Sequence, residues 1–398
     1  MSDQPAEHAL DGTESFSLVR GDWLFRVQRA VGLVPPGGGL GVGRRAVLLA
    51  LVTWLPVAVW AYLTGRALPG HVNEPLFQHF GVHVRCLVAI PLFIVGEATV
   101  HAASTQLVPY FLSSGLVPDD ERGRFAAVIR RATALRDAWM PWVLIAGLVL
   151  AWIIVRPIEA DVHELDWAVD TDRHAMGFGG WWFFYVARPI FMALLLAWIW
   201  RLLLLGVLLR RIAALPLSIV PTHPDRTGGL GFLERLPAAL APVVMAISAV
   251  LASRWGHDVA FHDVTLDSLK MPAAISLAVI AGLVLAPLVA FSGPLRRARK
   301  RALLDYGALV GEQGRRVYRK WILRQPVDDR EELLSAPELG PVADTTSLYE
   351  SVARMRTAPI GKKALLGILI PAVLPMIAVV AIRIPLKQLL LTILKTLV

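Results

Sequence analysis

The chain has 398 residues, a formal net charge of +9, and 56% hydrophobic against 18% charged residues; soluble domains carry about a quarter charged residues, so an ordinary soluble enzyme and a disordered chain are both excluded. Cys86 is the single cysteine, which excludes an internal disulfide framework and any Cys-based zinc or iron–sulfur centre. The basic residues flank apolar blocks instead of forming one free patch, which excludes a soluble nucleic-acid binder.

The tail 1–45 carries an amphipathic stretch, Phe16–Leu33. Phe16, Val19, Trp23, Val27 and Val31 recur there every three or four residues, with Arg20, Arg26 and Arg29 between or beside them. Two readings stand: the stretch lies on the cytoplasmic leaflet, or it packs on the rest of the protein. Pro35-Pro36-Gly37-Gly38-Gly39 then breaks the chain. The glycines at 39, 41 and 43 follow no strand, so they are not a dinucleotide fingerprint.

A hydrocarbon core of about 30 Å needs roughly 20 apolar residues as a helix. Seven segments are read as spans: Ala46–Leu63, Val82–Val100, Ala138–Val155, Trp181–Leu209, Leu236–Ala252, Pro272–Phe291 and Ala364–Ile384. The first follows Arg44-Arg45 with no small-residue cleavage site behind it, as a signal anchor would. The predicted fold is therefore an all-α polytopic transmembrane bundle. A six-span core covers 46–291, with cytoplasmic loops at 101–137 and 210–235. A cytoplasmic helical segment, 292–363, precedes a seventh span and an amphipathic C-terminal helix over 364–398.

Orientation follows from the Lys and Arg bias of the loops. The tail and the loops 101–137, 210–235 and 292–363 hold 29 Lys and Arg, against 6 in the alternate loops. This places the N-terminus in the cytoplasm. Parity puts the C-terminus outside, unless Pro371 and Pro375 make the last apolar segment re-entrant. Leu386–Val398, with Gln388, Thr392, Lys395 and Thr396 on one face, reads as an interfacial helix.

Within the insertions, Pro118-Asp119-Asp120-Glu121 starts a helix acids-first, and Arg130, Arg131 and Arg136 follow near its end. A second helix is expected from about Pro294 to Arg324. Gly307 and Gly311 on it allow another helix to approach closely.

Several phrases occur together along the chain. They are Phe80-Gly81-Val82-His83-Val84-Arg85 leading into a span with Glu97, and Thr222-His223-Pro224-Asp225-Arg226-Thr227-Gly228-Gly229-Leu230-Gly231-Phe232-Leu233. Asp305-Tyr306-Gly307-Ala308-Leu309, Arg319-Lys320-Trp321 and Ile384-Pro385-Leu386-Lys387 complete the set. The pattern resembles a widespread family of bacterial polytopic inner-membrane proteins with no assigned activity. The resemblance implies a multi-pass protein of the bacterial inner membrane and transfers no catalytic residue.

Three groups of residues are candidates for function. Glu97 and His101 lie four apart in span two, and Arg201 falls at similar depth in span four. Ionisable residues there turn inward to a partner or to water. They form either a structural pair or a proton-coupled route for a solute. In the His223–Gly231 loop, Asp225 caps a turn and the glycines let the chain fold back. Alternatively, the amides of Thr227–Gly231, freed by Gly228, Gly229 and Gly231, form an anion-binding nest, with Arg226 and His223 adding charge. On outward segments lie His71, His79, His83, His163, His174, His257 and His262. His79 and His83 have the spacing of a metal pair, but solvated loops are the plainer expectation, and no metal ligand is assigned. No GxSxG, Walker A or HExxH element is present.

The reading is an integral membrane protein, first a channel or secondary transporter for a small charged solute. The alternative is a membrane-embedded scaffold or signalling partner binding lipid or protein at its basic cytoplasmic face. No cofactor and no catalytic residue is expected. The expected partners are the bilayer, with anionic lipids at the cytoplasmic face, and a second copy or another membrane protein; nucleic acid is not among them.

Overall fold

The computed structural model describes residues 16–35, 39–70, 74–155, 167–170, 175–325 and 340–383. The interfacial helix expected over Leu386–Val398, and His71, His163 and His174, lie outside these residues.

Six helices are long and apolar enough to cross a membrane: Val42–Leu63, Phe80–Ser113, Asp119–Ile154, Phe178–Ala213, Leu266–Val289 and Lys362–Arg383. The pair Gly231–Ala239 and Ala241–Phe261, bent by 42°, makes a seventh candidate when taken as one span. The seven segments read from hydropathy map onto these, numbered here spans one to seven in chain order. The protein is an all-α polytopic bundle. Its only strand pairing among the described residues is a two-residue ladder, Val169 with Met176 and Asp170 with Ala175.

Proline shapes several spans. Pro242 has no N–H and crowds the carbonyl four residues back, and the chain breaks at Leu240, between the two halves of span five. Spans two and four both widen into a π turn just before a proline: Val84–Ala89 precedes Pro91, and Phe183–Ala187 precedes Pro189. Each widened turn accommodates the ring and the missing donor. Span seven stays one continuous helix through Pro371 and Pro375. Its first residues lie beside Glu234, and its last, Arg383, donates to the Val259 carbonyl and pairs with Asp263 at the far end of span five. A re-entrant span seven is thus excluded, and position 383 is on the same side as Asp263.

Spans two, four and five meet where Gly96 lacks a side chain. A Cβ there would be 2.7 Å from a Val243 methyl and 2.9 Å from the Trp198 ring. Span seven packs on span five through small residues, with Gly367 against the Ala238 backbone and Gly256 facing Val379 and Ile382. Ser248, buried, donates its hydroxyl to the Ala372 carbonyl beside the two prolines. Close backbone approach of this kind is how helices associate where lipid offers no hydrophobic contrast. Span three is peripheral, presenting Met140, Val143, Leu144, Leu148 and Ile154 outward. That surface is what a lipid-facing helix exposes.

The insertions are helical as expected. Asp119–Glu121 forms a short 3-10 turn before Arg122–Asp137. Ser292–Val317 packs against Gly340–Ala353, where the Tyr349 ring lies over Gly307.

The N-terminal stretch packs on the bundle along one side. Only Trp23–Ala30 is helical. Phe16, Ser17, Leu18, Val19, Asp22, Phe25 and Gln28 are buried in the bundle, while Trp23, Val27 and Val31 face outward.

Candidate functional site

The most buried charges lie where this docked segment meets spans one, two and four. Glu97 is fully buried, and its two oxygens face two different guanidinium groups. Oε1 lies 2.9 Å from Nη1 of Arg201, and Oε2 pairs with Nη2 of Arg45. Arg201 also donates from Nε and Nη2 to Asp22 Oδ2, at 2.9 and 2.6 Å. Arg45 donates from Nε to the Gln28 side chain at 2.6 Å. The Phe25 ring covers the Arg45 guanidinium, and the Trp198 ring covers that of Arg201.

Two carboxylates and two guanidinium groups, each at most 1% exposed, make a neutral cluster. An unpaired charge at this depth is severely disfavoured, so the balance of two against two is what permits burial. Asp22 has a double duty. Its Oδ1 accepts from the Phe25 amide at 2.7 Å, capping the N-terminal helix, while Oδ2 neutralises Arg201.

Of the sequence candidates, Glu97 and Arg201 therefore come together and His101 does not join them. The His101 ring instead contacts the Ser17 hydroxyl at 2.8 Å, and Arg136 holds the Ser17 carbonyl at 2.6 Å. Asp22 and Arg45 were not singled out in the sequence. An aspartate just before an amphipathic stretch is a helix-start signal, but nothing local says that its second oxygen meets an arginine 179 residues away. Arg45 reads as an ordinary charge flanking a span.

The His223–Gly231 loop is an Asp225-centred turn. Its carboxylate accepts from the amides of Thr227 at 2.7 Å, Gly229 at 3.2 Å and Gly231 at 2.7 Å. Burial alone would raise the pKa of Asp225; the three amide donors outweigh it and hold the carboxyl below its ordinary range. The amides expected to form an anion nest are engaged by the chain's own carboxylate. Arg226, Gly228 and Gly229 all have positive φ, at 58°, 66° and 96°, and Gly231 lets its amide reach Asp225 because a Cβ there would be 2.8 Å from that of Asp225.

The loop also clamps other pieces. The Gly228 carbonyl accepts from the Val220 N–H, and Arg356 is held by the Arg226 carbonyl at 2.7 Å, the Asp225 carbonyl at 2.9 Å and Glu234 at 2.6 Å. Gly361 makes room for that Arg356–Glu234 pair.

Beside the loop is a cavity of about 710 Å³, reached by Tyr110 of span two, Arg235 and Ala238 of span five, and Lys362 and Lys363 of span seven. Asp225 and Glu234 also line it, but both are engaged as described. Arg235, Lys362 and Lys363 have no carboxylate partner among the described residues.

At the opposite end of the bundle His79, His83 and His257 are not solvated loop residues. His79 and His257 are buried, at 4% and 8% exposure, because span five runs on to Phe261 and carries His257 in its last turns. His79 does not pair with His83. The His83 ring accepts from the Trp54 indole N–H at 2.8 Å, contacts the Leu76 carbonyl at 3.0 Å, and stacks on Phe77. His79 instead stacks on His257, with ring centres 5.1 Å apart, and both face Glu74.

No family model, curated protein or solved structure matches the chain, so every functional reading rests on these residues themselves.

Proposed function

We propose that this integral membrane protein is a binding protein at its cytoplasmic face rather than a conduit, and that its ligand is a phosphate-bearing anion, first the headgroup of an anionic lipid. The observation that carries this reading is the cavity at one end of spans two, five and seven, where Arg235, Lys362 and Lys363 have no carboxylate partner among the described residues. Ammonium and guanidinium groups that no carboxylate pairs suit phosphate oxygens. A lipid headgroup fits best because the cavity lies where three spans end, and Tyr110 and Ala238 give it an apolar side.

The buried cluster around Glu97 speaks against transport. A proton-coupled route through Glu97 needs a carboxylate that can change protonation or partner. Both Glu97 oxygens are held by guanidinium groups, and protonating it would leave Arg45 and Arg201 with Asp22 as the cluster's one remaining anion.

The test is lipid retention by the purified full chain, read by mass spectrometry after exchange between phosphatidylglycerol and phosphatidylcholine micelles. A juxtamembrane basic residue contributes about 1 kcal/mol toward an anionic lipid. The triple variant Arg235→Gln, Lys362→Gln, Lys363→Gln should then lose roughly 100-fold in phosphatidylglycerol preference. Unchanged preference would end the proposal. Displacement of the lipid by inorganic phosphate would make the free anion the ligand.

A further inference from the structure

Glu74 and His79 come from the segment joining spans one and two, while His257 and His262 come from the end of span five. Nothing in the chain order links the two pairs, and the bundle brings Glu74, His79 and His257 to one place, with His262 beside Glu74. The Nε2 atoms of His79 and His257 each lie 3.6 Å from Glu74 Oε2, and Nε2 of His262 lies 3.6 Å from Glu74 Oε1. One ligand atom from each of Glu74, His79 and His257 falls within 4.8 Å of the others.

These separations are too long for hydrogen bonds. They are close to what a shared cation imposes: donors about 2.0–2.1 Å from a tetrahedral zinc ion lie roughly 3.3 Å from one another. Among the described residues, Glu74 Oε2 and His79 Nε2 are buried without a hydrogen-bond partner. Two such atoms facing each other are what a missing bridge leaves behind.

The tautomers point the same way. The His257 Nδ1 lies 3.1 Å from the Gln78 carbonyl. A carbonyl only accepts, so Nδ1 carries the proton, and in the neutral ring Nε2 turns a lone pair toward Glu74. His79 has a hydrogen bond to the Glu74 main chain that favours its protonated form. Since its Nε2 has no such partner, the donor is Nδ1, and this Nε2 is bare as well. A main-chain carbonyl behind each imidazole is the usual support of a metal-bound histidine.

Phe80 and Phe261 wall the cluster, each packed on the His257 ring. His262, partly exposed, lies at its mouth. Two or three imidazoles with one carboxylate suit zinc and its first-row neighbours, whereas calcium and magnesium require an all-oxygen shell.

We propose that Glu74, His79 and His257, with His262 as fourth ligand, form a transition-metal site, zinc by its chemistry, on the membrane face opposite the basic loops. The metal ties the segment between spans one and two to the end of span five. This inference is independent of lipid binding at the other face.

The test is zinc titration of the full chain in micelles, after stripping with a chelator, against a chromophoric competitor. One zinc per chain is expected, undisturbed by millimolar magnesium or calcium. Cobalt in its place should give the intense visible bands of a four-coordinate ion. Changing a residue behind a ligand already lowers metal affinity about 10–100-fold. Loss of a ligand in His79→Ala or His257→Ala should therefore lower it by ~100-fold or more, while His83→Asn leaves it unchanged. Glu74→Gln keeps the shape of the side chain and should also lose zinc, so a folding defect in the histidine variants does not decide the matter. Wild-type protein that takes up no stoichiometric zinc overturns the proposal, as does zinc affinity that survives Glu74→Gln together with His257→Ala.

Discussion

Changing Asp22 to Asn isolates the electrostatic part of the buried cluster. Asparagine is as good a helix N-cap as aspartate, so the bond from the Phe25 amide, 2.7 Å in the wild type, can be kept. What is lost is one negative charge. The cluster then holds Arg45 and Arg201 against Glu97 alone, all at most 1% exposed. Removing one partner of a buried pair destabilises by about 3–5 kcal/mol, because the other charge stays desolvated. Arg201→Met alone should be similarly harmful, since it leaves Asp22 and Glu97 with Arg45. The double variant restores balance, with Arg45 facing Glu97, and should be far less destabilised than the sum of the singles. The assay is a double-mutant cycle on unfolding free energy, from denaturing-detergent titration in mixed micelles. Trypsin cleavage at Arg20 and Arg26 would report release of the docked segment alongside it. A coupling above ~1 kcal/mol is expected; additivity within about 0.5 kcal/mol would refute the claim that charge balance holds the segment in place.

Gly96→Ala should destabilise by about 1–3 kcal/mol through overpacking, since its Cβ would meet Val243 and Trp198, both buried; a melting temperature equal to wild type would mean that these spans shift apart freely. The Asp225 carboxyl is held below its ordinary value of 3.8, so its contribution to the loop is fully present above that pH and is lost as pH falls through the lower folded value. Amide protection of Thr227, Gly229 and Gly231 should drop in acid, and Asp225→Asn should remove that acid step while weakening the loop at neutral pH; a wild-type loop indifferent to acid would contradict the carboxylate-centred turn. In a Cys86→Ala background, a cysteine at Asp267 should be labelled in intact cells and one at Asp119 only after permeabilisation. Both side chains are more than four-fifths exposed, so the reverse pattern would invert the orientation rather than report burial.

The spans were legible in the sequence because a membrane forces apolar residues into runs of fixed length, and that rule is local. The same is true of the helix starting at Asp119, announced by its acids, and of the Asp225 turn, announced by an aspartate followed by glycines. Glu97 and Arg201 stood out as costly intramembrane charges that needed partners. Their remaining partners did not. Asp22 and Arg45 look like an ordinary cap and an ordinary flanking charge, and only folding the tail back onto spans one, two and four completes the balance of two against two. The loop amides looked available to an outside anion until the fold turned Asp225 onto them. The histidines show the limit most plainly. The i, i+4 spacing of His79 and His83 suggested a pair, but two residues on one helix face can still be drawn to different neighbours. Trp54 and the Leu76 carbonyl take His83, while His79 meets His257 across the bundle. Local rules fix where the chain crosses and turns. Which charges and imidazoles converge depends on contacts between residues far apart in sequence, and those exist only once the spans have packed.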